Sequence, residues 1–116
     1  LIMGYGKMNT FINVITTEPT KDSEGFVTKG DNVLASVRAY REVRNTTAKW
    51  ERIIGNAAFS SVTAMFRFRK IPGLTVTTSH FLSDGESRYN IVSAEDVRGR
   101  GMYVEVLAEK LEGTVM

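Results

Sequence analysis

The sequence predicts an all-β chain, a small antiparallel barrel or sandwich of about six strands with one short helix or long loop between the second and third long strands. Three observations carry that reading. Apolar residues recur with period two in several stretches, which sends alternate side chains to opposite faces of a strand. Turn residues separate these stretches. The period changes to a helical one at a single place, around Trp50. At 116 residues the chain fits one domain over 1–116, with ends that fray at about 1–8 and 111–116.

Phe11, Asn13 and Ile15 alternate with Ile12, Val14 and Thr16 in a first strand that stops at Glu18-Pro19, where proline removes a ladder donor. Residues 20–32 are polar and read as a long hairpin connection, with room for a short strand at Phe26-Val27-Thr28. Val33, Ala35, Val37 and Ala39 then form a small apolar face, and Leu34, Ser36, Arg38 and Tyr40 the opposite one. Phe59 to Lys70 is the clearest strand: Val62, Ala64, Phe66 and Phe68 share one face, and Thr63, Met65, Arg67 and Arg69 the other.

After the turn Ile71-Pro72-Gly73, a Thr-rich strand is expected from Leu74 through Val76 and Thr78 toward Phe81 and Leu82. Asp84-Gly85 suggests a tight hairpin turn, with Tyr89 to Ser93 as its return strand. Arg98 to Gly101 is a connection, and Met102 to Ala108 the closing strand. Between the second and third long strands, Trp50, Ile53, Ile54 and Ala57 fall at i, i+3, i+4 and i+7, one face of a short helix. Asn45, Thr46 and Thr47 are candidate N-caps for it, and Gly55 its stop.

Composition excludes more than it assigns. The chain contains no cysteine, so disulfides, thiolate metal sites and cysteine nucleophiles are out. Its 42% hydrophobic and 24% charged residues match an ordinary globular domain rather than a disordered one. No apolar run approaches the roughly 20 residues of a spanning helix, and the start lacks the layout of a secretory signal, so a soluble intracellular product is expected. A net charge of +2 is too small to drive tight, counterion-releasing attachment to nucleic acid.

No catalytic constellation emerges. His80 has no second histidine to complete a site, and it reads as structural or merely exposed. Asp84, Glu86, Glu95 and Asp96 fall in turns and strand ends, where solvated acids are ordinary. Gly99 and Gly101 lack both the dinucleotide and the P-loop patterns. Arg67, Arg69 and Lys70 lie beside Phe66 and Phe68 as in an RNA-binding strand, but the alternation puts the aromatics on one face and the cations on the other. Core phenylalanines are expected. Trp50, on a helix too short to be stable alone, either caps the barrel or lies in a partner interface.

Several features in order resemble the phage head-tail joining family, the head-completion or head-closure proteins of tailed phages and prophages. They are the strand Phe11 to Ile15, the hairpin Asp22-Ser23-Glu24-Gly25, the Ala/Val strand Val33 to Ala39 and the middle excursion. The Arg67 to Gly73 stretch with its Pro-Gly, the Arg88 to Val92 strand and a final apolar strand complete the order. The resemblance spans roughly residues 9–110 and implies no enzyme, cofactor or metal. It implies a β-barrel subunit that forms a homo-oligomeric ring beneath the portal and adaptor, closes the DNA-filled head and meets tail-completion or tail proteins. Such a subunit would reside at the head-tail interface of the virion after assembly in the host cytoplasm, with double-stranded DNA passing without tight binding and no membrane involved.

The excursion is then the expected inter-subunit or channel-facing segment, comprising Asn45, Thr47, Lys49, Trp50, Glu51, Ile53, Ile54 and Ala57, with Trp50 and Ile53 as apolar anchors. A tail-completion or tail-terminator ring subunit is a neighbouring reading. A single-stranded nucleic-acid-binding barrel is a different one, and it requires Phe66 or Tyr89 to be exposed.

Overall fold

A computed structural model describes residues 8, 10–18, 20–21, 27–28 and 30–111. Its strands are β1 (Thr10–Thr16), the two-residue β2 (Thr20–Lys21) and β3 (Val27–Thr28), β4 (Asn32–Val43), β5 (Ala64–Arg69), β6 (Phe81–Ser83), β7 (Arg88–Asp96) and β8 (Tyr103–Lys110). Helix α1 (Ala48–Ile54) and a 3-10 turn (Ala57–Phe59) lie between β4 and β5, and a second 3-10 turn (Val97–Gly99) between β7 and β8. Six strands close into an antiparallel barrel in the order β1-β4-β5-β8-β7-β6, while β2 and β3 pair separately. Of the expected sandwich or barrel, the chain forms the barrel. The expectation of frayed ends falls outside the described residues except at Met8 and Leu111.

Alternation explains the interior. Ile12 and Val14 of β1, Ala39 of β4, Ala64, Phe66 and Phe68 of β5, Leu82 of β6, Tyr89 and Ile91 of β7, and Val106 and Ala108 of β8 all point inward and are buried. Phe66 meets Tyr89 edge to face, with ring centroids 5.0 Å apart. Ile71, Leu74 and Val76 pack against this core from the β5–β6 connection.

The opposite mouth is polar. Arg41, paired with Phe66 on the inward side of β4, donates to Asp84 Oδ2 at 2.9 Å, and the Tyr89 hydroxyl donates to the same oxygen at 3.3 Å. The other oxygen, Oδ1, accepts the backbone N–H groups of Glu86 and Ser87 at 3.0 and 2.8 Å. One carboxylate therefore ties the β6–β7 turn to β4 and to the aromatic pair in the core.

Two bulges reset the alternation. Between Val14↔Ala35 and Ile15↔Val33, β4 holds an extra residue, Leu34. Val33 consequently leaves the inward face expected for it and is 57% exposed, whereas Ala35, Val37 and Ala39 keep to the core side. Between Ile91↔Ala108 and Ser93↔Leu107, β7 holds the extra Val92, which packs outside the barrel while Ala94 returns to the core. Bulges add local twist, which helps a short sheet curve onto itself.

Three expectations are corrected. The strand expected from Phe59 to Lys70 is Ala64–Arg69, because Phe59 belongs to the 3-10 turn. The Thr-rich strand expected from Leu74 is confined to Phe81–Ser83. Ahead of it, the Thr77 N–H donates to His80 Nδ1 at 3.1 Å, and the Thr77 and Ser79 hydroxyls lie 2.8 Å apart, so local side-chain bonds replace a ladder. The β6–β7 turn spans residues 84–87 rather than two residues, and of Asp84 and Gly85 only the glycine has a positive φ, at 94°.

Burial opposes the charge on Asp84, but bonds from Ser87 and Glu86, with Arg41 nearby, hold its carboxyl below the ordinary value of 3.8. A carboxyl whose pKa is depressed on folding stabilises the fold above its ordinary pKa, and that stabilisation is lost as the pH falls through the folded value. Asp84→Asn is expected to cost about 1–2 kcal/mol at neutral pH. It should also flatten the loss of stability below pH 3.8, measured as urea midpoints across pH.

Candidate functional site

The excursion between β4 and β5 is built up from one carboxylate and one indole. Alternation places Tyr40 and Glu42 on the outer face of β4, on the same side as the register partners Arg67 and Met65 of β5. Across β5–β8, Met65 pairs with Leu107. These two leave an apolar strip on the outside of the barrel. Helix α1 covers it with Trp50, which is 0% exposed and joins Val62, Met65 and Leu107 in a second core flanked by Tyr40, Ile53, Phe59 and Val92.

Thr47 starts the helix as expected, its hydroxyl accepting the Trp50 N–H at 3.4 Å. Gly55 ends it with a right-handed φ of −69°, so the left-handed conformation is not what the position requires. A Cβ there would lie 2.9 Å from the Glu51 carbonyl oxygen, and close approach is the reason for glycine. At the base of the excursion, the Arg44 guanidinium donates to the Ser60 and Val62 carbonyls, both at 3.4 Å.

Glu42 holds this unit down. Trp50 Nε1 donates to Oε2 at 2.9 Å, while Lys49 Nζ and the Tyr40 hydroxyl donate to Oε1 at 2.7 and 3.3 Å. Burial acts against its charge, yet the bonds from Lys49 and Trp50 prevail and hold the carboxyl below the ordinary value of 4.5.

The residues singled out in the sequence divide by facing. Trp50 is spent within its own chain, and Ile53 packs half-buried beside it, so the two expected anchors face the barrel rather than outward. Ile54 is half-buried as well. Lys49 is engaged by Glu42, although its side chain remains 45% exposed. Asn45, Glu51 and Ala57 are exposed, and the Asn45 side chain accepts the Thr47 N–H at 2.9 Å.

Beside α1 lies a groove of about 460 Å³ between the helical unit and the outer face of β7 and β8. Its floor is Ile53, Phe59 and Leu107, with Lys49, Arg52 and Asn56 along the helical side and Glu95 and Glu105 along the sheet. Glu105 is ion-paired with Arg67 across β5–β8. Sequence reasoning placed Arg67 on the face opposite the phenylalanines but gave it no partner, and it assigned no role to Glu42 or Glu105. Alternation reaches the outer face, but the partners of these residues depend on register.

The remaining candidates stay structural. His80 closes a local turn, and the Asp96 carboxylate accepts the Gly101 N–H at 2.9 Å. Among the described residues, no group of three or more His, Asp or Glu is placed to hold a metal ion, and no helix is long and apolar enough to cross a membrane. Phe66 is 0% and Tyr89 5% exposed, which removes the stacking surface that the nucleic-acid reading needed.

Trp50→Ala empties the second core and is expected to cost about 3–5 kcal/mol by denaturant unfolding. Trp50→Phe keeps the apolar cover but deprives Glu42 of a donor, and should cost about 1–3 kcal/mol. The depressed Glu42 carboxyl stabilises the fold above pH 4.5 and loses that effect as the pH falls through its folded value, so Glu42→Gln should flatten the pH dependence below 4.5.

A solved structure with a similar fold is the solution structure of protein SF1141 from Shigella flexneri 2a. It has a TM-score of 0.66 at 16% identity, covering 97% of this chain and 100% of that one. A chain from the virion of the native gene transfer agent particle has a TM-score of 0.51 at 14% identity, covering 90% and 96%. At such identities the likeness is one of fold. No curated protein matches the chain. The family model of the phage head completion protein, in contrast, matches residues 3–111, which take in the whole barrel and its helical excursion, and the chain belongs to that family.

Proposed function

We propose that this head completion protein is a subunit of the phage head-to-tail connector, assembling as a ring under the portal or adaptor. The ring closes the DNA-filled head and offers the tail its attachment site. The observation that carries this reading is the family match over residues 3–111. It agrees with a structural role in the virion.

The architecture suits the task. A barrel closed by six antiparallel ladders, with side chains filling its interior, is a rigid body that can be repeated about an axis. The excursion is a second rigid piece, fastened at Glu42 and Trp50, and its exposed Asn45, Glu51 and Ala57 are free to meet a neighbour or the channel. A net charge of +2 suits a passage through which DNA slides without being gripped at its phosphates.

Removing the gene from a phage or prophage that encodes this chain should yield heads that lose their DNA and acquire no tails, and restoring it in trans should rescue both defects. Filled, tailed particles in its absence would refute the proposal. A chain carrying Glu51→Arg and Ala57→Arg should melt like the wild type yet cut the yield of tailed particles about tenfold or more, counted by electron microscopy.

A further inference from the structure

We propose that the edge of β4 from Ala35 to Ala39 takes an extended, acidic segment of a partner protein as an added strand, its carboxylates held by Arg38 and Arg69. This surface lies outside the helical excursion, and the inference holds whether or not the chain forms a ring.

The edge follows from unequal pairing. β4 runs beside β1 from Asn32 to Ala39, but β5 joins its other side only from Tyr40 to Val43. β5 ends at Arg69, and the chain beyond it turns to cover the core with Ile71, Leu74 and Val76 instead of continuing along β4. Among the described residues, none from Ala35 to Ala39 makes a backbone bond beyond its own ladder. The bulge at Leu34 bounds this stretch above, and Tyr40 bounds it below. An unpaired strand edge is a template for a further strand, because each of its N–H and C=O groups seeks another backbone.

Charge selects what kind of strand. Where β4 and β5 part, a cleft of about 390 Å³ opens, with Val37, Ile71 and Pro72 as apolar walls and Arg38, Arg69 and Lys70 as its cations. No carboxylate lines it. Lys70 also borders a neighbouring hollow that contains Glu95 and Asp96, so the surplus in this cleft is the two arginines. Both are exposed. Arg41, Lys49, Arg67 and Arg88 are each paired with a carboxylate, whereas among the described residues Arg38 and Arg69 are not.

Their register neighbours supply no acid either: Phe11 stands opposite Arg38 on β1, and Tyr103 opposite Arg69 on β8. The Arg38 guanidinium carbon lies 5.1 Å from the Phe11 ring centroid, a contact through its flat face that leaves its N–H edge for an anion. Above the cleft Val33 and Leu34 are 57% and 40% exposed, which adds apolar surface along the path of the incoming segment. Duplex phosphates could meet the arginines but not the strand edge. A polypeptide that carries carboxylates beside apolar side chains meets both.

The test needs only the purified chain. From a display library of random octapeptides, it should enrich sequences in which Asp or Glu alternates with apolar or β-branched residues. Arg38→Glu together with Arg69→Glu should weaken the best binder about tenfold or more while melting as the wild type does. Arg69→Gln, which leaves the Arg38–Phe11 contact in place, should weaken it in the same direction. Amide hydrogen exchange should slow within residues 35–39 when the peptide binds, and stay unchanged at α1.

No enrichment, enrichment of sequences without acids, binding indifferent to the arginine substitutions, or protection confined to other residues would each overturn the proposal. A duplex of about 20 base pairs bound through the same arginines, with no peptide enriched, would make the cleft a phosphate site. Protection of residues 35–39 that grows with the concentration of the chain alone would make a second copy the occupant. Either result would also overturn it.

Discussion

A six-stranded barrel has an interior too narrow for anything but side chains, and how that volume is shared governs the rest of this molecule. Phe66, Phe68 and Tyr89 take much of it, and alanines at 39, 64 and 108 make room around them. Closure itself is slight: β6 is three residues long and bridges β1 through Asn13↔Ser83, Val14↔Leu82 and Ile15↔Phe81. So short a ladder persists because Leu82 is sunk in the same core as Ile12, Val14 and Tyr89. Interior packing holds the seam as much as hydrogen bonds do.

A body closed in this way places its recognition on outer surfaces. Both mouths are occupied, one by Ile71, Leu74 and Val76 and the other by the Arg41–Asp84–Tyr89 cluster. The outside carries the variety: a helical unit clamped by Glu42, a groove beside it with an apolar floor, and Phe11 on β1 with the Arg38 guanidinium over its ring. In a chain of the phage head completion family, such rigid and unlike surfaces suit a part whose work is fitting between other parts of a particle.

The candidate site was half legible. The spacing of Trp50, Ile53 and Ile54 marked the helix and its apolar stripe, and Thr47 its start, whereas Ala57, expected on the same stripe, falls exposed in the 3-10 turn that follows. Amphipathicity reports that a face is buried but not against what, so Trp50 and Ile53 looked equally suited to a partner. The apolar strip that receives them consists of Met65 and Leu107, 15 and 57 residues further along the chain from Trp50, brought side by side only by the β5–β8 register. That Glu95 and Glu105 stand opposite each other across β7–β8 was hidden for the same reason.

By itself the sequence determined the fold class, the position of the helical excursion and the inward face of β5, because period two and period 3.6 are properties of neighbouring residues. It also excluded disulfides and thiolate sites by composition. Tertiary structure decided where β4 and β7 change face at their bulges, that residues 71–80 cover the core instead of forming a strand, and which outer residues meet. Those outcomes depend on pairing between distant strands and on the fit of the shared interior. No local window of residues contains either.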